Sequence, residues 1–158
     1  TTAVASNPKW QKFVDTCLDE YVALTDIEWC DGIALGSPTR FGSPASQLRA
    51  FLDTTGGLWA QGSLSRLVGT SFTSASTQHG GLESTILSMN NIFYHWGSLI
   101  MPLGYMNSFV RKESGNPYGA SLYSTSANSA TQTHLQAATL QGERLARITR
   151  AISSKSED

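Results

Sequence analysis

The sequence has little charge, two cysteines and no long apolar run. Its 11 Lys and Arg against 12 Asp and Glu give a formal net charge of -1, which argues against binding to nucleic acid or to a membrane through basic residues. No stretch approaches the roughly 18 apolar residues of a membrane-spanning helix. The first ten residues lack the apolar segment of a signal peptide, so we expect a cytoplasmic protein.

Several familiar site patterns are also absent. Cys17 and Cys30 match neither a redox pair nor a zinc site, and we expect buried free thiols in a reducing compartment. His79, His95 and His134 lack ligand spacing and an accompanying acidic cluster, so no metal is expected. The glycine-rich nucleotide motifs and the G-x-S-x-G nucleophile motif do not occur.

What the sequence does contain is an alternation of helical and strand-like segments. One domain over residues 1–158 is expected, with a frayed tail at 153–158. The alternation predicts an α/β fold with a parallel sheet flanked by helices. Predicted helices cover residues 8–21 (capped by Asn7), 25–28 (as a capping box), 43–55, 82–94 and 134–152, and predicted strands cover 32–36, 67–73 and 98–102.

Three local signals refine this pattern. Ser43-Pro44 predicts a helix start, and Gly56-Gly57 predicts the end of the same helix. The last helix is predicted to bury Ala138, Leu145, Ile148 and Ile152. The polar stretch 104–133 has little periodicity and predicts no element.

Two polar loops follow the first two predicted strands, at residues 37–42 and 74–81. Ligands of open α/β sheets bind beyond the carboxyl ends of the strands, where backbone N–H groups at helix starts can hold an anion or a ring edge. Arg40 and Phe41 offer a donor fork and a stacking surface. Gln78 and His79 add donors to the second loop. The pair of loops predicts a ligand site.

These loops also carry a family resemblance. Residues 36–42 read Gly-Ser-Pro-Thr-Arg-Phe-Gly, and residues 47–59 end in Thr-Thr-Gly-Gly-Leu-Trp. With Phe72-Thr73-Ser74, Gln78-His79-Gly80-Gly81 and Asn116-Pro117-Tyr118-Gly119-Ala120, they resemble the WrbA family of flavodoxin-like, FMN-dependent NAD(P)H:quinone oxidoreductases. The resemblance implies an enzyme that takes a hydride from NADH or NADPH through flavin N5 and passes both electrons to a quinone.

The resemblance also implies roles for particular residues. His95 would lie near the flavin as a catalytic residue, although the family's His-His-Gly reads His95-Trp96-Gly97 here. Trp59 and Tyr118 would wall the substrate pocket, Trp59 from a neighbouring subunit; a core tryptophan is the alternative. The flavin itself would be bordered by two sets of residues: Pro38, Thr39, Arg40, Phe41 and Gly42, then Ser74, Ala75, Ser76, Thr77, Gln78, His79, Gly80 and Gly81.

The family's first strand and phosphate loop have no counterpart in this sequence. Three strands are predicted where a flavodoxin-like sheet of order 2-1-3-4-5 has five. We therefore expect an N-terminally truncated flavodoxin-like domain with weak binding of FMN. The edge at residues 33–35 would then be unpaired, unless a partner supplies the missing strand. A homo-oligomer, most simply a tetramer, is expected by resemblance. The alternatives are a non-catalytic oligomeric protein and a flavodoxin-type electron carrier.

Overall fold

The computed structural model describes Pro8 and residues 19–105, 107–123 and 130–153. The helices are α1 (Leu24–Trp29), α2 (Ser46–Asp53), α3 (Gly56–Ala60), α4 (Leu82–Trp96) and α5 (Gln132–Ser153), with a π-helix at Val110–Ser114. The strands are β1 (Gly32–Arg40), β2 (Ser43–Pro44), β3 (Val68–Ala75), β4 (Leu99–Ile100) and β5 (Ser121–Tyr123). Within these residues no helix is long and apolar enough to cross a membrane.

A parallel ladder between β1 and β3 forms the centre of the sheet. Seven residue pairs join them, from Gly32 with Val68 to Pro38 with Ser74. The sheet order is β2-β1-β3-β4, with β5 also on β3, and every pairing except β1 with β2 is parallel. The predicted α/β fold with three adjacent parallel strands is confirmed.

Two short strands, β4 and β5, share the other edge of β3. β4 pairs with Val68 and Gly69, and β5 pairs with residues 73–75. The strand predicted over 98–102 therefore ends at Ile100, and the chain leaves the sheet until it returns as β5. The prediction of no element in 104–133 is wrong, because this stretch supplies the π-helix and β5.

The edge of β1 that faces away from β3 is largely unpaired in the described residues. Only Thr39 and Arg40 have partners there, and these are Pro44 and Ser43 of β2. The predicted helix start at Ser43-Pro44 is wrong, because these residues form β2 and α2 begins at Ser46. The predicted helix end at Gly56-Gly57 is wrong too, since α2 stops at Asp53 and these glycines open α3.

Near its beginning the chain departs from the predicted helices. Residues 19–21 are not helical, and residues 10–18 lie outside the described part. The capping interaction predicted at Thr25 and Glu28 forms two residues earlier in the chain, where the Asp26 carboxylate accepts from the backbone N–H of Ala23 at 2.7 Å. Cys30 follows the end of α1 as its C-cap; it is a half-buried free thiol whose pKa is raised by burial.

The main core lies between the sheet and helices α2 to α4. It joins buried residues of α4 to those of β1 and of the segments that precede β1 and β3: Ile27, Leu35, Leu52, Leu58, Leu64, Leu67, Ile86, Met89, Phe93 and Trp96. A smaller cluster of Leu103, Val110, Ala120 and Ala137 packs the π-helix segment against α5. Both surfaces of β3 are therefore covered by helices.

Helix α5 is attached to the sheet by a buried amide. Gln141 is 3% exposed; its Oε1 accepts from the backbone N–H of Ala120 at 2.5 Å, and its Nε2 donates to Thr70 Oγ1 and the Ser71 carbonyl at 2.5 and 2.9 Å. The predicted inward face is partly wrong: Ala138 and Ile152 are exposed and Leu145 and Ile148 half-buried, whereas Ala137 and Gln141 are buried. The helix also continues to Ser153, the first residue of the predicted tail; residues 154–158 lie outside the described part.

Replacing Gln141 by alanine should lower the free energy of unfolding by about 2–4 kcal/mol, because the Ala120 N–H and the Thr70 hydroxyl lose their buried partner. Gln136→Ala, on an exposed position of the same helix, is the matched control and should change stability by less than about 0.5 kcal/mol. Urea unfolding followed by circular dichroism measures both. Equal stability of the two variants would show that the Gln141 hydrogen bonds contribute little.

Candidate functional site

The carboxyl ends of β1 and β3 meet at one edge of the sheet. Their last ladder pair is Pro38 with Ser74, and the next residues of both strands leave from adjacent positions. Part of each predicted loop is strand, since β1 extends to Arg40 and β3 to Ala75. The two strands extend beyond their common ladder because β2 pairs with the end of β1 and β5 pairs with the end of β3. All thirteen predicted flavin-binding residues nevertheless lie at this edge.

A two-residue turn, Phe41-Gly42, joins β1 to β2. The flanking pair is Arg40 with Ser43, and the turn residues have φ of 53° and 80°. Positive φ at both central positions is the signature of a type I′ hairpin turn, which favours Asn-Gly. Phe41 is the one residue other than glycine with positive φ in the described chain, and its side chain is fully exposed, at 107%. The turn therefore presents an aromatic ring to solvent on a strained backbone.

Hydroxyl groups hold this turn in place. Thr39 Oγ1 accepts from the Gly42 N–H at 3.2 Å and from the Thr85 hydroxyl of α4 at 2.8 Å. Ser37 Oγ accepts from the Ala45 N–H at 2.8 Å, and the Thr73 hydroxyl donates to the Ser37 carbonyl at 2.7 Å. Thr39 and Ser37 thus fix the two strand ends and the start of α2 relative to one another.

The second loop folds against the first. Residues 76–79 are exposed, and the Gly80 N–H donates to the Thr77 carbonyl at 3.1 Å. Gly81 precedes α4 with φ of 93°, and a Cβ placed on it would lie 2.8 Å from Gly42 Cα. Only glycine at 81 allows this approach, so the two predicted loops form one surface.

Two cavities flank this surface. The first, of about 350 Å³, lies between the ends of β1 and β3 and includes Pro38, Phe72 and Ser74. The second, of about 380 Å³, lies beside the second loop and the start of α4. Strand β5 separates them, because Leu122 lines the first whereas Ser121 and Tyr123, pointing the other way, line the second.

The second cavity, called the polar cavity below, was not foreseen in the sequence beyond the contribution of Gln78 and His79. The wall also includes Glu83 of α4, Glu113 of the π-helix, Asn116 just after the π-helix, and His134 of α5. These residues are far apart in the chain, and no spacing connects them. Within the described residues no group of three or more His, Cys, Asp or Glu is arranged to hold a metal ion.

Trp59 and His95 do not join the loops within one chain. The Trp59 indole N–H donates to the His95 carbonyl at 2.9 Å, which ties α3 to the last turn of α4. The loops lie at the first turn of α4, and His95 is 13 residues after Leu82 along this helix, or roughly 20 Å at 1.5 Å per residue. Trp59 is 56% exposed, so this pair is available at the surface.

Tyr118, also predicted for the substrate pocket, lies on the turn into β5. Its backbone N–H donates to Asn116 Oδ1 at 3.1 Å, and the residue is 41% exposed. Gly119, the next residue, packs so closely on the Ser71 carbonyl that no side chain fits there. The motif 116–120 therefore fixes the path of the chain into β5 and leaves the Tyr118 side chain at the surface.

Comparison with known proteins gives consistent matches. A family model described as NADPH-dependent FMN reductase matches residues 22–109. A protein of Deinococcus radiodurans named NAD(P)H dehydrogenase (quinone) is 45% identical over 97 residues, which are 61% of this chain and 48% of that protein. One of the same name from Syntrophus aciditrophicus is 44% identical over 131 residues, or 79% of this chain and 64% of its own length. The chain thus spans about half to just under two thirds of these relatives.

Solved structures agree on the fold. A flavodoxin, WrbA-like protein from Agrobacterium tumefaciens superposes with a TM-score of 0.67 at 23% identity, covering 81% of this chain and 71% of that one. A rubredoxin oxygen:oxidoreductase from Desulfovibrio gigas gives a TM-score of 0.51 at 15% identity, covering 78% of this chain and 24% of that one. The flavodoxin-like fold expected by resemblance is confirmed.

Gly81→Ala should separate the two loops, because its Cβ meets Gly42 and the backbone stays at positive φ. We expect a loss of about 1–3 kcal/mol in the free energy of unfolding. Gly56→Ala is the control: a Cβ added there would meet no atom within 4 Å, and the φ of Gly56 is not positive, so helix α3 should gain up to about 1 kcal/mol. Chemical denaturation measures the free energy of unfolding of both variants. Similar free energies for the two would show that the loops do not need the close contact between Gly81 and Gly42.

Proposed function

Because this chain belongs to the NADPH-dependent FMN reductase family, we propose that it binds FMN and reduces quinones with NADH or NADPH as the donor. The family sequence includes both loops at the carboxyl edge of the sheet, within residues 22–109. Quinone as the acceptor rests on the names of relatives at about 45% identity. When bound, FMN supplies the hydride and electron chemistry; the chain supplies binding, orientation and shielding.

The observation that carries this proposal is the Phe41 turn. A residue other than glycine in the left-handed region costs about 1–2 kcal/mol, and a fully exposed phenyl ring gains no burial in return. Local rules are broken in proteins chiefly where function requires it. A planar aromatic ligand such as a flavin would cover the phenyl ring of Phe41, and this burial would offset the backbone strain.

The residues present fit the ring of FMN better than its phosphate. Pro38 and Phe41 offer apolar surface, the Arg40 guanidinium offers donors, and the exposed backbone of residues 76–79 offers N–H groups for the polar edge of the ring. Arg40 is the one Lys or Arg in the two loops, so a dianionic phosphate has little to bind here. We therefore expect residues 1–158 to bind FMN weakly, so that assays need FMN in excess.

His95 and Trp59 belong to this proposal as contributions from another copy of the chain. The hydrogen bond between them makes one exposed unit at the far end of α4, roughly 20 Å from the loops of the same chain. A homo-oligomer, with a tetramer as the expected size, would place this unit beside the loops of a neighbour, and Tyr118 would help to wall the substrate pocket. There His95 would act as the catalytic side chain, and Trp59 would exclude water from the flavin.

The function is tested by NADH and NADPH oxidation with a benzoquinone and excess FMN, against free FMN as the blank. We expect quinone-dependent oxidation of one dinucleotide per quinone, at a rate well above the blank. Bound FMN without oxidation would favour the non-catalytic alternative. Turnover restricted to one-electron acceptors would favour an electron carrier.

Phe41→Asn separates stability from binding in a single variant. It creates the Asn-Gly pair that type I′ turns prefer, so the free energy of unfolding should rise by about 1 kcal/mol. The same change removes the exposed ring, so the affinity for FMN should fall by about tenfold, the worth of one aromatic contact. Denaturation and titration of flavin fluorescence give the two values. A variant that is more stable and binds FMN as well as the parent would show that the ring has another purpose.

A further inference from the structure

The Thr39 hydroxyl lies where the two loops meet. Its oxygen accepts from the Gly42 N–H at 3.2 Å, and a Cβ placed on Gly81 would lie 3.2 Å from it. The hydroxyl of Thr85, near the start of α4, lies 2.8 Å from the same oxygen. In a pair of hydroxyl groups at this distance one group donates and the other accepts. The direction of this hydrogen bond therefore determines what Thr39 can offer to a ligand.

The burial of Thr85 determines that direction. Thr85 is 0% exposed, so its proton needs an acceptor inside the protein, because a buried donor without a partner is costly. The usual alternative for a helical threonine is the carbonyl four residues earlier. That carbonyl belongs to Gly81 and already accepts from the Thr85 N–H at 3.1 Å and from the Ser84 hydroxyl at 3.2 Å. Thr85 therefore donates to Thr39.

This direction leaves Thr39 one hydrogen-bonding group for a ligand. A hydroxyl has two lone pairs and one proton, and both lone pairs of Thr39 are engaged, by the Gly42 N–H and the Thr85 hydroxyl. The Thr39 proton has no acceptor in the described part of the chain, and the residue is only partly buried. Thr39 is therefore a donor that cannot accept. It suits a carbonyl oxygen or an unprotonated ring nitrogen and does not suit a ring N–H.

We propose that Thr85 is a positioning residue that makes Thr39 a donor-only contact, so that the loop surface selects an acceptor atom of an aromatic ring over an N–H. Thr85 acts through Thr39, because it is itself fully buried. The inference rests on the proposed function where it takes the ring to be the isoalloxazine of FMN, whose pyrimidine edge carries two carbonyls with an N–H between them.

The direction of the hydrogen bond is tested in the chain without flavin. NMR of hydroxyl protons should show a slowly exchanging Thr85 proton with a cross-peak to the Thr39 side chain, and no protected Thr39 proton. Thr85→Ser, which keeps the hydroxyl, should retain the slow exchange. A protected Thr39 proton would overturn the proposal, because Thr39 would then donate inward to Thr85. A Thr85 proton that exchanges freely with water would overturn it as well.

The selection of an acceptor is tested by absorbance titration with FMN, 2-thio-FMN and 4-thio-FMN, since a thiocarbonyl sulfur accepts hydrogen bonds more weakly than oxygen. We expect FMN to bind about fivefold more tightly than one of the two analogues, the worth of one neutral hydrogen bond. Thr39→Val should remove this preference, whereas a steric effect of sulfur would persist in that variant.

The role of Thr85 is measured as a change in the same preference. Thr85→Val frees a lone pair of Thr39 and leaves its proton without a fixed direction, so the preference should fall to within about twofold. Thr85→Ser should restore it. Ser71→Ala is the matched control, because the Ser71 hydroxyl also ties α4 to the sheet, through Asn90 at 2.9 Å, and belongs to neither loop. It should lower stability and leave the preference intact.

The remaining outcomes separate this proposal from the proposed function. Equal binding of all three flavins, a preference that survives Thr85→Val, or one that Ser71→Ala also removes would overturn the role of Thr85. Failure of FMN to bind, with the expected hydroxyl exchange, would refute the proposed function and support the donor-only state of Thr39, which is measured without flavin. FMN binding and quinone reduction without the preference would do the reverse.

Discussion

The buried polar groups of β3 are the constraint on which the rest of this structure depends. A central strand with hydroxyl groups on its buried faces needs a partner for each of them, since an unpaired buried group costs about 1–3 kcal/mol. Thr70 accepts from Gln141 of α5, the Ser71 hydroxyl donates to Asn90 of α4 at 2.9 Å, and the Thr73 hydroxyl donates to the Ser37 carbonyl of β1. Three neighbouring elements are therefore positioned by consecutive parts of one strand.

This explains which parts of the fold could be predicted from sequence. Short apolar runs followed by polar loops predict the parallel strands and the edge where the ligand site lies, because parallel strands end together. For α5, apolar periodicity identifies the face but not its buried centre. Leu145 and Ile148 are half-buried, whereas Gln141, four residues before Leu145 on the same face, is buried. The Gln141 amide is buried because it pairs with the polar groups of β3. A pattern of apolar residues cannot predict these hydrogen bonds.

The site divides in the same way. The residues of the two loops are near one another in sequence or follow equivalent strands, so their meeting is predictable. The wall of the polar cavity brings Glu83, Glu113 and His134 together only because the chain leaves the sheet after β4 and returns as β5. That return has no sequence pattern of its own; it depends on Gly119, which fits against the Ser71 carbonyl, and on the Ala120 N–H, which donates to Gln141.

The turn at Phe41 connects the polar network to the binding surface. Positive φ at Phe41 is maintained by what surrounds it: Thr39 holds the Gly42 N–H, Thr85 holds Thr39, and Gly81 closes on Gly42. Because Thr39 belongs to β1 and Thr85 and Gly81 to the start of α4, the strain of the turn is borne by the packing of α4 on the sheet. A ring held this way is already oriented before a ligand arrives, so the ordering cost of binding is met during folding.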